Sequence, residues 1–121
     1  PNRLYRNDGP RPSDPLVSSR DQPRTFVEVA AEKGVADLTD TRAAAWGDYD
    51  ADGDPDLFVG FTRRSNQPAR LYRNDGFGKP FVDVAAALGL DISGEVRQPS
   101  FVDYDGDGDL DLFVALRDAP N

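Results

Sequence analysis

Nine residues, Asp48-Tyr-Asp-Ala-Asp-Gly-Asp-Pro-Asp56, place an aspartate at every second position, and Asp103-Tyr-Asp-Gly-Asp-Gly-Asp-Leu-Asp111 repeats the arrangement 55 residues later. Five carboxylates packed so closely repel one another, so the loop is costly unless a cation neutralises it. A hard divalent ion does this, and Ca2+ takes six to eight oxygen ligands from carboxylates and backbone carbonyls. Positions 1, 3 and 5 of each loop (Asp48, Asp50, Asp52 and Asp103, Asp105, Asp107) converge on one point. Position 7 (Asp54, Asp109) offers its backbone carbonyl, and position 9 (Asp56, Asp111) closes the shell. Gly53 and Gly108, at position 6, allow the reversal that a wrapped loop needs. A solvated acidic turn would account for one such loop. Two in the same frame point to one Ca2+ per repeat, two per chain.

The loop starts like an EF-hand and ends differently. An EF-hand closes with a glutamate at position 12 and is flanked by helices. Here position 12 is Val59 or Val114, and each loop exits into Asp-Leu-Phe-Val, a strand-forming run. These are cation loops inside β-hairpins.

A duplication runs through the rest of the chain. Arg3-Leu-Tyr-Arg-Asn-Asp-Gly9 returns unchanged as Arg70-Leu-Tyr-Arg-Asn-Asp-Gly76, and Phe26-Val-Glu-Val-Ala30 returns as Phe81-Val-Asp-Val-Ala85. Repeat 1 spans about residues 3–61 and repeat 2 about 70–116. The first pair is 67 residues apart, because residues 10–25 hold an insertion of 12 rich in proline, serine and charge. That composition predicts a solvated loop, with a partner contact as the alternative. Strands are expected at 4–7, 26–30, 43–48 and 56–61, and again at 71–74, 81–85, 100–103 and 111–116. Single helical turns are expected at 30–33 and 85–88, ended by Gly34 and Gly89. Four short antiparallel strands per repeat of this length are the pattern of a β-propeller blade.

Composition narrows the function. The loops hold ten of the 22 acidic residues, so they account for the whole of the net charge of −8. The acidity therefore speaks for metal, and neither nucleic acid nor a polybasic membrane contact is expected. Absence of cysteine excludes disulfides and zinc–thiolate sites, and absence of histidine removes the commonest general base. No apolar run reaches membrane-spanning length.

The Asp-x-Asp-x-Asp-Gly-Asp-x-Asp-Leu-Phe-Val pattern, with Arg-Leu-Tyr-Arg-Asn-Asp-Gly and Phe-Val-Asp-Val-Ala, resembles the FG-GAP/VCBS repeats of integrin-like propellers. The likeness covers nearly everything outside residues 10–25. It implies an all-β propeller in which the calcium loop joins the innermost strand of a blade to the second. On that order residues 43–85 form one whole blade, 3–30 the outer half of another, and 100–116 the inner half of a third. The implied function is a non-enzymatic binding or scaffold module for protein or glycan recognition, placed outside the cell or in the periplasm, where calcium is plentiful. No signal peptide is read in the chain as it stands. Two alternatives are a glycan-binding lectin, with Trp46, Tyr5 and Tyr72 as stacking candidates, and a carboxylate-based polysaccharide hydrolase or lyase. Trp46 matches Phe101 and is expected in the core. Polar candidates on the face away from calcium are Arg63, Arg64, Asn66, Gln67, Asp40, Arg42, Glu95, Arg97 and Gln98.

The two half-blades also imply assembly. The edge at 111–116 lacks a third strand, and residues 4–7 of another copy offer one. A head-to-tail contact of this kind closes into a ring. Two repeats per chain then give six blades in a homotrimer or eight in a homotetramer.

Overall fold

A computed structural model describes residues 1–10 and 24–117. The inserted loop expected at 10–25 lies, apart from its flanks, outside the described residues. Among the described residues eight strands run in chain order: β1 (Tyr5–Pro10), β2 (Arg24–Glu28), β3 (Thr41–Gly47), β4 (Asp56–Phe61), β5 (Arg70–Arg73), β6 (Val82–Asp83), β7 (Glu95–Val102) and β8 (Asp111–Arg117). All pairings are antiparallel. β3, β4, β5 and β6 form one sheet in that order, while β1–β2 and β7–β8 form two-stranded sheets. Among the described residues the only helical pieces are two 3-10 turns, Arg63–Ser65 and Ala86–Leu88.

The duplication in sequence is a duplication in pairing. Tyr5 faces Glu28 as Tyr72 faces Asp83, and Trp46 faces Leu57 as Phe101 faces Leu112. Even the register shift between Thr41 and Ala43 recurs between Val96 and Gln98. The backbone bond from Val29 N to Leu4 O has its counterpart from Val84 N to Leu71 O.

Side chains that compete for backbone groups set where strands stop. The strand expected at 26–30 ends at Glu28, because Glu28 Oε1 accepts from Ala30 N at 2.8 Å. The one expected at 81–85 shrinks to Val82–Asp83, because Asp83 Oδ1 accepts from Ala85 N at 3.1 Å. Both chains then turn. Val35 N reaches Ala30 O while Gly34 N reaches Ala31 O, and Leu90 N with Gly89 N repeats the pattern onto Ala85 O and Ala86 O. This is the Schellman arrangement, and Gly34 and Gly89 hold the left-handed position that it requires. The strand expected at 100–103 instead starts at Glu95. Pro99, which argues against a strand in sequence, is tolerated next to the Val96–Gln98 bulge in a sheet of only two strands.

β4 is the centre of the molecule, with all six residues buried. Its side chains alternate between two cores. Leu57, Val59 and Phe61 join Ala30, Val35 and Tyr72 on one face, with Leu4 and Phe81 packed against them. Phe58 joins Ala69, Leu71, Ala85 and Val96 on the other, where Phe101, Leu112, Val114 and Leu116 of the β7–β8 hairpin close over it. Two glycines allow that closure. A Cβ on Gly47 would fall 2.4 Å from the Phe101 ring, and one on Gly60 would fall 2.3 Å from Val96 Cβ. Trp46, expected in the core, is instead 49% exposed, with its ring edge-on to Phe81 at 6.2 Å. It lines a cavity of about 290 Å³ together with Leu4, Tyr5, Val35, Ala44, Leu57 and Val59 among others.

Candidate metal centres

Both aspartate loops link the paired strands of a hairpin, β3 to β4 and β7 to β8. Asp56 and Asp111 are the first residues of the outgoing strands, so the ladder itself positions them. Each loop is then wound by its own carboxylates. In the first, Asp48 accepts from Asp52 N at 3.1 Å and Gly53 N at 2.9 Å. In the second, Asp103 accepts from Gly106 N at 2.8 Å and Gly108 N at 3.1 Å. Gly53 and Gly108 take φ of +94° and +99°, in keeping with the reversal expected at position 6. Position 4 is left-handed too, filled by Gly106 in one loop and, with strain, by Ala51 in the other (φ +57°).

Three aspartates in each loop come together. Carboxylate oxygens of Asp48, Asp50 and Asp56 lie within 4.8 Å of one another, and those of Asp103, Asp105 and Asp111 do the same. These are positions 1, 3 and 9. Position 5 stands outside this grouping: Asp52 Oδ1 accepts from Asp54 N, and Asp107 Oδ1 from Asp109 N, both at 2.9 Å. Position 7 also stands outside it, and the Asp54 carboxylate lies against Gly76.

The donor set suits a hard divalent cation. Each cluster offers only anionic oxygen, with no nitrogen or sulfur, which favours Ca2+ over zinc or copper. Burial sharpens this at the first loop. Asp56 is fully buried, and that desolvation pushes its carboxyl above the ordinary range, with Asp50 and Asp52 adding repulsion. Backbone donors from Asn74 and Tyr49 oppose the rise. Positive charge placed between Asp48, Asp50 and Asp56 would relieve the same repulsion.

The loops differ in what covers them. Asp56 Oδ2 accepts from Tyr49 N at 3.0 Å and Oδ1 from Asn74 N at 2.8 Å, while Asn74 Nδ2 donates to Pro55 O at 3.1 Å. Asn74 follows β5, so the third strand of the sheet braces the first loop. Asp111 Oδ2 accepts from Tyr104 N at 3.1 Å, and among the described residues no donor reaches its Oδ1. In sequence Asn74-Asp-Gly is a turn signal, and that signature alone does not show its second task. The signal is the identity of that segment in the two repeats, which turn formation alone does not demand.

Elsewhere, Arg70 and Tyr72 OH both donate to Asp37, a buried acid, and Arg70 also lies over the Phe61 ring at 5.6 Å. Glu95 is ringed by Arg42, Arg97 and Arg117 at 3.3–3.9 Å, tying together three polar candidates of the face away from the loops. A polar recess lined by Arg63, Asn66, Gln67 and Ser93 among others occupies the same end.

Comparison with family models gives a match to a family described as an FG-GAP-like repeat, over residues 48–114, which is more than half of the chain. Comparison with curated proteins gives no match.

Proposed function

This chain belongs to the FG-GAP-like repeat family, and from that premise we propose that it is a calcium-stapled segment of β-propeller type serving as a binding or scaffold module. Sheet β3–β6 is then one blade, and the hairpins β1–β2 and β7–β8 are an outer and an inner half-blade. One observation carries the reading: twice, at equivalent places, three carboxylates of one loop lie within 4.8 Å of each other. Holding such groups together costs free energy that a bound cation returns as folding energy. Asp48, Asp50 and Asp56, and Asp103, Asp105 and Asp111, are the core ligands. Asp52, Asp54, Asp107 and Asp109 complete the shells through carboxylate, carbonyl or bridging water. Calcium here orders the loops and does no chemistry.

The family and the residue types at hand support recognition of protein or glycan over turnover. An extracellular or periplasmic setting suits sites of this kind. No helix among the described residues is long and apolar enough to cross a membrane.

Calcium titration with and without chelator tests the proposal. Two ions should bind per chain. At a hundredfold excess over Kd each raises stability by about 2.7 kcal/mol. Trp46, two residues before Asp48, should report binding by its fluorescence. Unchanged melting and unchanged Trp46 emission after chelation would sink the metal reading.

A further inference from the structure

We propose that the exposed face of the β7–β8 hairpin docks into the Trp46 cavity of a second copy of this chain, with Phe113 as the plug and β1 of that copy as the strand pairing with β8. The proposal rests on reading the sheets as successive blades, and the chain carries its own template for the joint. Within one molecule, β7–β8 closes over the face of β4 that presents Phe58 and Gly60. The repeat maps Phe58 onto Phe113, yet Phe58 is fully buried and Phe113 is 57% exposed.

The receiving side maps as well. In the complete core, Leu71, Ala85, Leu90, Leu112 and Val114 gather around Phe58. Their counterparts Leu4, Ala30, Val35, Leu57 and Val59 gather in the other core, where among the described residues none stands in for Phe58. The cavity of about 290 Å³ lies there. One core is thus the other without its plug, and the plug is displayed on the far side of the same molecule.

A second observation is independent of apolar fit. β5 pairs with β4 through Leu57–Tyr72, Phe58–Leu71 and Val59–Arg70. Transposed by the repeat, Leu112, Phe113 and Val114 face Tyr5, Leu4 and Arg3 of the second copy. That register brings Asn7 to Asp111 as Asn74 stands to Asp56, and so supplies the missing donor to Asp111 Oδ1. The second metal loop is therefore completed by the neighbouring copy. The joint is not identical to the internal one, since Val102 and Ala115 stand where Gly47 and Gly60 allow closest approach. It is wider, because Val102 brings three side-chain carbons and Ala115 one, and half-exposed Trp46 is the group that turns to admit them.

Mass measurement by light scattering, with calcium at tens of micromolar chain, should give three or four copies. Phe113→Glu and Ala44→Glu each charge one face and leave the other intact. Each variant alone should be monomeric, and an equal mixture should stop at a 1:1 dimer, which also proves both folded. Arg3→Cys with Val114→Cys, in a chain without cysteine, should oxidise to intermolecular disulfides that Phe113→Glu abolishes. A monomeric parent chain, or assembly that survives Phe113→Glu, overturns the proposal. So does a glycan or unrelated peptide that occupies the cavity without any self-association. Calcium binding by the monomeric variants separates the two readings: if it persists while docking fails, only the joint is wrong.

Discussion

Tyr72 shows how much one side chain settles. It is buried beside Asp37 and Arg70, and burial pushes its phenol from the ordinary value near 10 up to about 12. The unfolded chain releases that proton near pH 10, while the folded chain holds it to about pH 12. Its contribution is therefore intact below pH 10 and is lost as the pH climbs towards 12, a fall on the order of 2 kcal/mol. Urea unfolding from pH 8 to pH 11.5 should show this decline. Tyr72→Phe should flatten it, while costing about 1 kcal/mol at neutral pH for the bond lost to Asp37. An equally steep decline in the variant would place the titration elsewhere. None of this is legible in the sequence, where Arg-Leu-Tyr looks alike in both copies. Tyr5, the counterpart, is half-exposed and meets Arg3 but no acid among the described residues.

At the level of strands, the duplication makes the pairing readable from residues alone, because two copies of one pattern must solve the same packing problem in the same way. Boundaries are less readable: Glu28 and Asp83 end their strands by capturing backbone amides, and alternation of apolar residues does not report such competition. The stacking of hairpin on sheet is harder still to foresee. Its trace is in the sequence, since a glycine inside a strand marks close backbone approach, and Gly47 and Gly60 flank a loop whose twin is flanked by Val102 and Ala115. Gly60→Ala follows as a test. Its Cβ would meet Val96 Cβ, a buried atom with no flexible end to yield. The sheets must separate, at a cost of roughly 2–3 kcal/mol by the usual scale of overpacking. A thermal or urea denaturation difference below about 0.5 kcal/mol would show that β7 slides aside freely.

For the whole molecule, the candidate metal ligands are readable because carboxylates on alternate positions have so few other uses, but the inequality of the two sites is not. It arises between elements distant in sequence: Asn74, just after β5, braces the first loop, and nothing among the described residues braces the second in the same way. A braced loop has less freedom to lose on binding, and carboxylates held away from water attract a cation more strongly than exposed ones. Both effects favour the first site, where Asp56 is buried between two backbone donors. Desolvating the incoming ion works against this. Asp50 at the first site is itself exposed, however, so the ion keeps some of its water there. In the monomeric Phe113→Glu variant, calcium should therefore bind in two phases, the tighter at Asp48, Asp50 and Asp56. Asp103→Ala should delete the weaker phase alone and Asp48→Ala the tighter one, with calorimetry reading both. Docking as proposed, with Asn7 of a second copy at Asp111, should narrow the gap. Equal sites in the monomer, or a tighter phase that disappears with Asp103→Ala, would mean that bracing by the third strand does not govern affinity.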